Sequence, residues 1–341
     1  MKTNKLTRVK EIEFFSGVNL RKIHAKIKPI RQGYYRILNV TISGDAPKDF
    51  IELYHYGEGR KKKVNTWPKY IAKVGKKWYP IESIVEYLLN RIGEEMSINM
   101  AKSELRLANN QIRFLSKYFL KEGEVLVHGA QIFSAYLGEA DEAFVEEIES
   151  QGLARELFTF QFVIESIRQS FPNNFDEITK AFLKMLVFDA MTGNNDRHFY
   201  NWGVIVDLEG EKQPVFSPVY DTARGLFWNY SENKISNLFH KNGQIDNPQF
   251  KKYISNSRPK TGWEGEKDLN HFKLIELIND TYPKYNSICM ELLNSLNLLS
   301  IKEMIEKEFK PFFSNQRYRL VIECLVHRYE LLLNICNCKT E

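Results

Sequence analysis

Along the first third of the chain, apolar and polar positions alternate in short runs punctuated by Gly, Pro and Asp, the period of strands rather than of helices. Three such runs, YYRILNVTI (residues 34–42), DFIELYHYG (49–57) and KYIAKVG (69–75), are dense in Tyr, Ile, Val and Phe and predict a small, mostly antiparallel sheet. The period then changes. In PIESIVEYLLNRIGEEM (80–96), Ile81, Ile84, Val85, Leu88, Leu89 and Ile92 recur at helical spacing behind a Pro suited to a first turn, so one amphipathic helix should lay its stripe on the sheet. Two more strand-like runs, INMAKSELRL (98–107) and IRFLSKYFL (112–120), precede VLVHGAQIFSAYL (125–137), after which nearly every pattern is helical. DEAFVEEIESQ (141–151) has an acidic solvent face, and ITKAFLKMLVFDAMTG (178–193) is apolar nearly all round, as a buried helix is. From Leu274 to Cys338, Leu, Ile and Phe again keep helical spacing.

The pattern predicts an α+β chain of two lobes: residues 1–118 form a β-rich lobe with one helix, and residues 119–341 a larger, mostly helical one, joined near Tyr118. At 341 residues the chain is slightly beyond the size at which a single core keeps growing, and two lobes leave a cleft for a ligand.

Composition changes this picture little. With 43% hydrophobic and 27% charged residues the chain reads as an ordinary globular protein. It has no apolar run of membrane-span length, and MKTNKLTRVKEIEFF lacks the apolar stretch of a secretory signal, so a cytoplasmic protein is expected, with no membrane partner. Cys289, Cys324, Cys336 and Cys338 form no zinc-ligand spacing and are expected as reduced thiols, some in a helical core. The net charge of +5 is modest, but Lys and Arg crowd residues 59–78. Such a surface suits a phosphate-bearing ligand; without an aromatic-basic repeat or a reading helix, direct nucleic-acid binding is not expected.

The chemistry concentrates in MTGNNDRHFYNWGV (191–204), where Asn195, Asp196, Arg197 and His198 stand together between an apolar helix and a strand. Four polar side chains in a row cannot serve a core without partners, so a loop carrying a site is expected. Residues 202–206 and 214–219 flank a Gly-containing turn, and a hairpin centred on Gly210 sets Asn201 near Asp221. Their oxygens are hard ligands of the kind Mg²⁺ takes. Asp196 precedes Asn201 at the spacing that separates the catalytic Asp of protein kinases from their metal-holding Asn. Asp196 is therefore the candidate to orient and deprotonate an attacking hydroxyl, and Asn201 and Asp221 are the candidates to hold Mg²⁺ on a triphosphate. Arg197 and His198 would fix the loop or neutralise developing phosphate charge. A serine hydrolase lacks its nucleophile elbow here, and a metallohydrolase lacks a second His at ligand spacing from His198.

In the first lobe, KYIAKVG compares with the strand that carries the phosphate lysine of kinases, which makes Lys73 the candidate; Glu82 or Glu86 on the following helix could hold it. No G-x-G-x-x-G loop exists. ISGDAPKDFIEL (42–53) is the substitute, a small-residue turn whose backbone N–H groups could cradle an anion beside Lys48.

Taken together, MTGNNDRHFYNWGV with SPVYDTARG (217–225), VLVHGAQIFSAYLG, IESIVEYLLNRIG and, more loosely, ISGDAPK and KYIAKVG resemble the HipA-like kinases, bacterial Ser/Thr kinases best known as toxins of toxin–antitoxin pairs. The likeness spans roughly residues 42–225. It implies a kinase-like fold, ATP and Mg²⁺ as cofactors, and transfer of the γ-phosphate to a Ser/Thr hydroxyl of a protein substrate. It implies Asp196 as base, Asn201 and Asp221 on Mg²⁺, Lys73 on ATP, residues 43–48 with Ser43, Gly44 and Lys48 as phosphate loop, and Glu82 in preference to Glu86 as helix carboxylate. A small helix-turn-helix antitoxin is the partner it implies. Asp45 departs from the family loop by setting an acid next to phosphates. The phosphatidylinositol kinases share a similar Asp-Arg-His-x-x-Asn loop, so a lipid or small-metabolite kinase is one alternative. A nucleotide-binding scaffold that docks a partner is the other.

Overall fold

The computed structural model describes residues 6–9, 20–40, 47–139, 141–245 and 247–337; Ser43, Gly44, Asp45 and Cys338 lie outside them. A short helix, α1 (Leu20–Lys26), precedes a sheet built from β1 (Tyr35–Ile37), β2 (Lys48–Leu53), β3 (Lys69–Lys73), β4 (Ser103–Ala108) and β5 (Gln111–Lys117), with α2 (Ile81–Glu95) between β3 and β4. The strand order is β1-β2-β3-β5-β4 and every neighbouring pair is antiparallel. β2 stops short of its pattern because the chain turns at once: Glu58 N–H donates to the His55 carbonyl at 3.1 Å, and Gly57 sits at φ 90°, which suits Gly. The tyrosines that make residues 54–56 look strand-like sit in and beside that turn.

Alternation along the strands divides the sheet into two faces. Ile51, Leu53, Tyr70, Ala72 and Leu115 close on Leu6 in a small cluster on one face. Lys73, one residue on from Ala72, therefore belongs to the other. There α2 packs against β4 and β5, and Ile81, Ile84, Val85, Leu88, Leu89 and Ile92 are each at most 1% exposed. Burying each such side chain contributes about 1.5–3 kcal/mol, an upper bound because the unfolded chain already hides part of it.

The larger lobe begins with β6 (Glu124–His128), which pairs antiparallel with β7 (Gly203–Asp207), itself paired with β8 (Val215–Phe216). The chain passes from one sheet to the other through residues 118–123, where Tyr118 N–H still reaches the Lys69 carbonyl at 2.9 Å. Helices make up the rest: α3 (Gly129–Leu137), α4 (Ala143–Ser150), α5 (Ala154–Leu157), α6 (Phe160–Ser170), α7 (Phe175–Thr192), α8 (Glu232–Ser236), α9 (Pro248–Ser255), α10 (His271–Thr281), α11 (Asn286–Leu292), α12 (Ser295–Met304) and α13 (Asn315–Asn337). One apolar cluster runs without a break from α2 through α7 to α13, so the lobes share a core beneath the cleft. This is the bilobal α+β architecture that the sequence pattern indicates. Cys289, Cys324 and Cys336 are buried free thiols, and no helix among the described residues is long and apolar enough to cross a membrane.

Candidate active site

α7 ends at Gly193, whose φ of 67° turns the chain out of the helix and opens the loop 194–201. A buried charge holds this loop in shape. Asp189, 1% exposed in the last turn of α7, accepts from Arg197 Nε at 2.9 Å and Nη2 at 3.0 Å, and from Asn194 Nδ2 at 2.9 Å. Arg197 Nη1 also donates to the carbonyls of Asn201 at 3.0 Å and Tyr220 at 2.7 Å. A buried guanidinium and a buried carboxylate are each costly alone; joined with this many hydrogen bonds they fix a backbone. His271 on α10 adds a contact of 3.0 Å from its Nε2 to the Asn194 carbonyl, and Asn195 Oδ1 accepts from Arg258 N–H at 2.9 Å.

With its backbone so held, the loop presents Asp196, His198 and Asn201 to a cleft of about 290 Å³ between the lobes, where Lys48, Lys73 and Asp221 also lie. Asn201 Nδ2 donates to the Asp196 carbonyl at 2.9 Å, so Oδ1 is the amide atom that remains to coordinate a cation. The hairpin β7–β8 delivers Asp221 as its spacing requires: Val204 stands opposite Phe216, and Val219 N–H beyond the strand bonds the Asn99 carbonyl at 2.7 Å. Asp221 itself has φ 53°, a left-handed conformation that Asp tolerates better than most residues.

The first lobe contributes Lys73, whose Nζ is 2.8 Å from Glu86 Oε1 and 2.8 Å from Asp221 Oδ1. Burial alone would lower this ammonium, but Asp221 and Glu86 outweigh burial and hold it above its ordinary value. Burial would raise the Asp221 carboxyl, yet Lys73 first, then Lys48 and His198, bring it down to about 2. Asp221 is thus a carboxylate at neutral pH, as a cation ligand must be. Burial pushes Glu86 up, with Lys73 opposing. His198 is lowered by burial against the pull of Asp196 and Asp221, which favours the neutral ring.

Two expectations are corrected. Glu82 is not the partner of Lys73; Glu86 is. Glu82 and Glu86 share one face of α2, a turn apart, and Glu82 is engaged elsewhere: it faces the backbone of residues 76–78, which draws its carboxyl down against burial, and packs so close to Gly75 that a Cβ there would lie 2.6 Å from its Oε2. It lines the cleft without holding the lysine. Arg197, 3% exposed and bonded on all sides, cannot neutralise phosphate charge and is a positioning residue. Of the phosphate loop, Lys48 lines the cleft at the start of β2, opposite Lys73 in the strand register; Ser43 and Gly44 are outside the described residues.

Sequence reasoning assigned no role to Asp189, Tyr220 or Arg224. Asp189 had a signal, a lone acid in a helix otherwise apolar all round, which demands a buried partner. Arg224 has its Nε 2.9 Å from Asp196 Oδ2, a contact invisible in the order of residues. Tyr220 donates to the Tyr200 carbonyl at 2.9 Å and lies 3.1 Å from His128 Nδ1, tying the residue before Asp221 to β6.

The model of the HipA-like C-terminal domain family matches residues 40–276. The chain belongs to that family. The resemblance read from residues 42–225 is therefore borne out, and the loop 194–201 and hairpin of this HipA-like chain lie inside the matched region. Its fold is similar to that of the Helicobacter pylori proinflammatory kinase CtkA, with a TM-score of 0.68 and 16% identity over 92% of this chain and 98% of that one. HipA from the Shewanella oneidensis MR-1 toxin–antitoxin system, solved with HipB and operator DNA, matches with a TM-score of 0.46 and 14% identity; the match covers 92% of this chain and 65% of that one. No curated protein matches the sequence. Among the described residues no cluster of three His, Cys, Asp or Glu forms a metal site, and the Asn201 and Asp221 pair fits a cation that takes its remaining ligands from phosphates and water.

Proposed function

We propose that this HipA-like chain is an ATP- and Mg²⁺-dependent protein Ser/Thr kinase. The observation that carries the reading is the meeting, in one cleft, of Lys73 held by Glu86, the pair Asn201 and Asp221, and Asp196 on a loop fixed from behind. Lys73 would contact the inner phosphates and keep its charge there, since its two carboxylates hold the ammonium protonated. Asn201 Oδ1 and Asp221 would hold Mg²⁺, which when bound neutralises charge on the outer phosphates. Asp196 would orient a Ser or Thr hydroxyl and take its proton as the oxygen bonds to the γ-phosphorus and the bond to the bridging oxygen breaks, leaving ADP.

The test is transfer of labelled phosphate from ATP with Mg²⁺, alone and into a cell lysate, by the intact protein and its Asp196→Asn and Asp221→Asn variants. Loss of a general base costs about two to four orders of magnitude, so a labelled protein band should appear with the intact chain and vanish with Asp196→Asn. Equal labelling by all three overturns the reading. Lipid and small-molecule acceptors assayed in parallel decide whether the hydroxyl belongs to a protein.

A further inference from the structure

Phosphoryl transfer needs a cation on the oxygens of the group in flight, and of the Lys and Arg side chains that line the cleft, Lys48, Lys73, Lys76, Lys77 and Arg224, it is Arg224 that pairs with Asp196. Arg197 is buried behind the loop, and Lys73 is occupied by Glu86 and Asp221. Arg224 has the right place. Its Nε lies 2.9 Å from Asp196 Oδ2, so its guanidinium stands where an acceptor hydroxyl must come to meet that carboxylate. Its backbone is anchored: the Arg224 carbonyl accepts from Asn195 N–H at 3.3 Å, and a Cβ on the next residue, Gly225, would lie 2.6 Å from the Thr192 carbonyl oxygen. Its side chain is 43% exposed and rests over the Trp228 ring at 5.0 Å, so nothing buried has to move when it changes partner.

We propose that Arg224 is a catalytic arginine supplied in cis: it pairs with Asp196 until an acceptor arrives, then moves onto the γ-phosphoryl oxygens and stabilises the charge they carry during transfer. The two roles are taken in turn: an arriving hydroxyl competes with Arg224 for the Asp196 carboxylate and displaces it from Oδ2. The released guanidinium then has the metal-bound phosphate as its nearest strong anion, and its planar donor fork matches phosphate oxygens in pairs. An exposed ion pair of this kind is weak, so exchanging one anion for another costs little. The inference rests on the kinase reading and adds to it the group that completes charge neutralisation.

The experiment compares binding of Mg·ADP with that of Mg·ADP plus aluminium fluoride, which stands in for the phosphoryl group in flight, using the full chain and its Arg224→Ala and Arg224→Lys variants. The intact protein should hold the fluoride complex at least about tenfold tighter than Mg·ADP, as transition-state mimics are held. Arg224→Ala should lose that preference while Mg·ADP affinity stays within about twofold, and phosphate transfer should fall about a thousandfold, the lower range for such an arginine. Arg224→Lys should keep part of both, which also guards against misfolding in the alanine variant. A preference kept by Arg224→Ala, or an equal loss of affinity for both complexes, overturns the inference; faster transfer by Arg224→Ala overturns it too, because the residue would then only block the base. An intact protein that transfers phosphate normally while the variants match it removes this inference alone. An intact protein with no transfer and no nucleotide binding removes the kinase reading and this inference together.

Discussion

Two stretches of chain meet at the base of the cleft, and they are held in opposite ways. Residues 189–201 are cross-tied through side chains, with Asp189, Asn194, Arg197 and Asn201 joined in one network and Asn194 fully buried. Residues 221–228 are held through the backbone. Asp221, Leu226 and Phe227 sit at φ 53°, 45° and 61°, conformations that cost roughly 1–3 kcal/mol each and persist only where packing insists on them. Packing does insist, since Leu226 and Phe227 are fully buried, while Asp221 and Arg224 project into the cleft. The first stretch is the pre-organised part of the site and the second carries the side chains that can change partners.

The largest test of that contrast is Asp189→Ala, which strands the Arg197 charge in the interior and should destabilise the protein by about 3–5 kcal/mol. Chemical denaturation reads it, and a loss below about 1 kcal/mol would mean that the network does not hold the loop. Next comes the Lys73 clamp. Glu86→Gln removes a charged hydrogen bond, about 1.5–3 kcal/mol, and should cut kcat/KM for ATP at least about tenfold, whereas Glu82→Gln should do much less. The reverse ranking would return the role to Glu82. Gly193→Ala should cost about 1–2 kcal/mol in thermal stability, because Ala disfavours φ 67° and its methyl would meet the Arg328 guanidinium carbon at 3.1 Å. The smallest effect is one of pH. The Asp221 carboxyl falls from 3.8 to about 2 in the folded chain, so its pairing stabilises fully above about pH 4 and is lost as pH falls toward 2. Asp221→Asn should flatten that acid limb of the stability curve by lowering stability at neutral pH while leaving it nearly unchanged near pH 2.

Much of this was legible in the residues. The hairpin turn and the even pairing of strands made the nearness of Asn201 and Asp221 a matter of counting, and the apolar stripe of α2 named its own buried face. What spacing could not supply was direction. Glu82 and Glu86 project from the same face of α2, and only the path of residues 75–78, against which Glu82 packs, leaves Glu86 for the lysine. Arg197 likewise sits beside Asp196 in the chain but turns inward, because Asp189 waits there. Arg224 drew no notice, since nothing in the local pattern says that it crosses to Asp196.

The contact between Lys73 and Asp221 also bears on which ions the cleft will accept. The ammonium seated 2.8 Å from Asp221 is already a resident monovalent cation, tethered and therefore present at very high local concentration. Potassium or sodium brings no more charge than the group it would have to crowd, and so gains little by entering. A divalent ion brings twice the charge in a smaller radius. In the proposed kinase, Lys73 would thereby act as a selectivity filter, setting a threshold of charge density that Mg²⁺ would clear and monovalent ions would not.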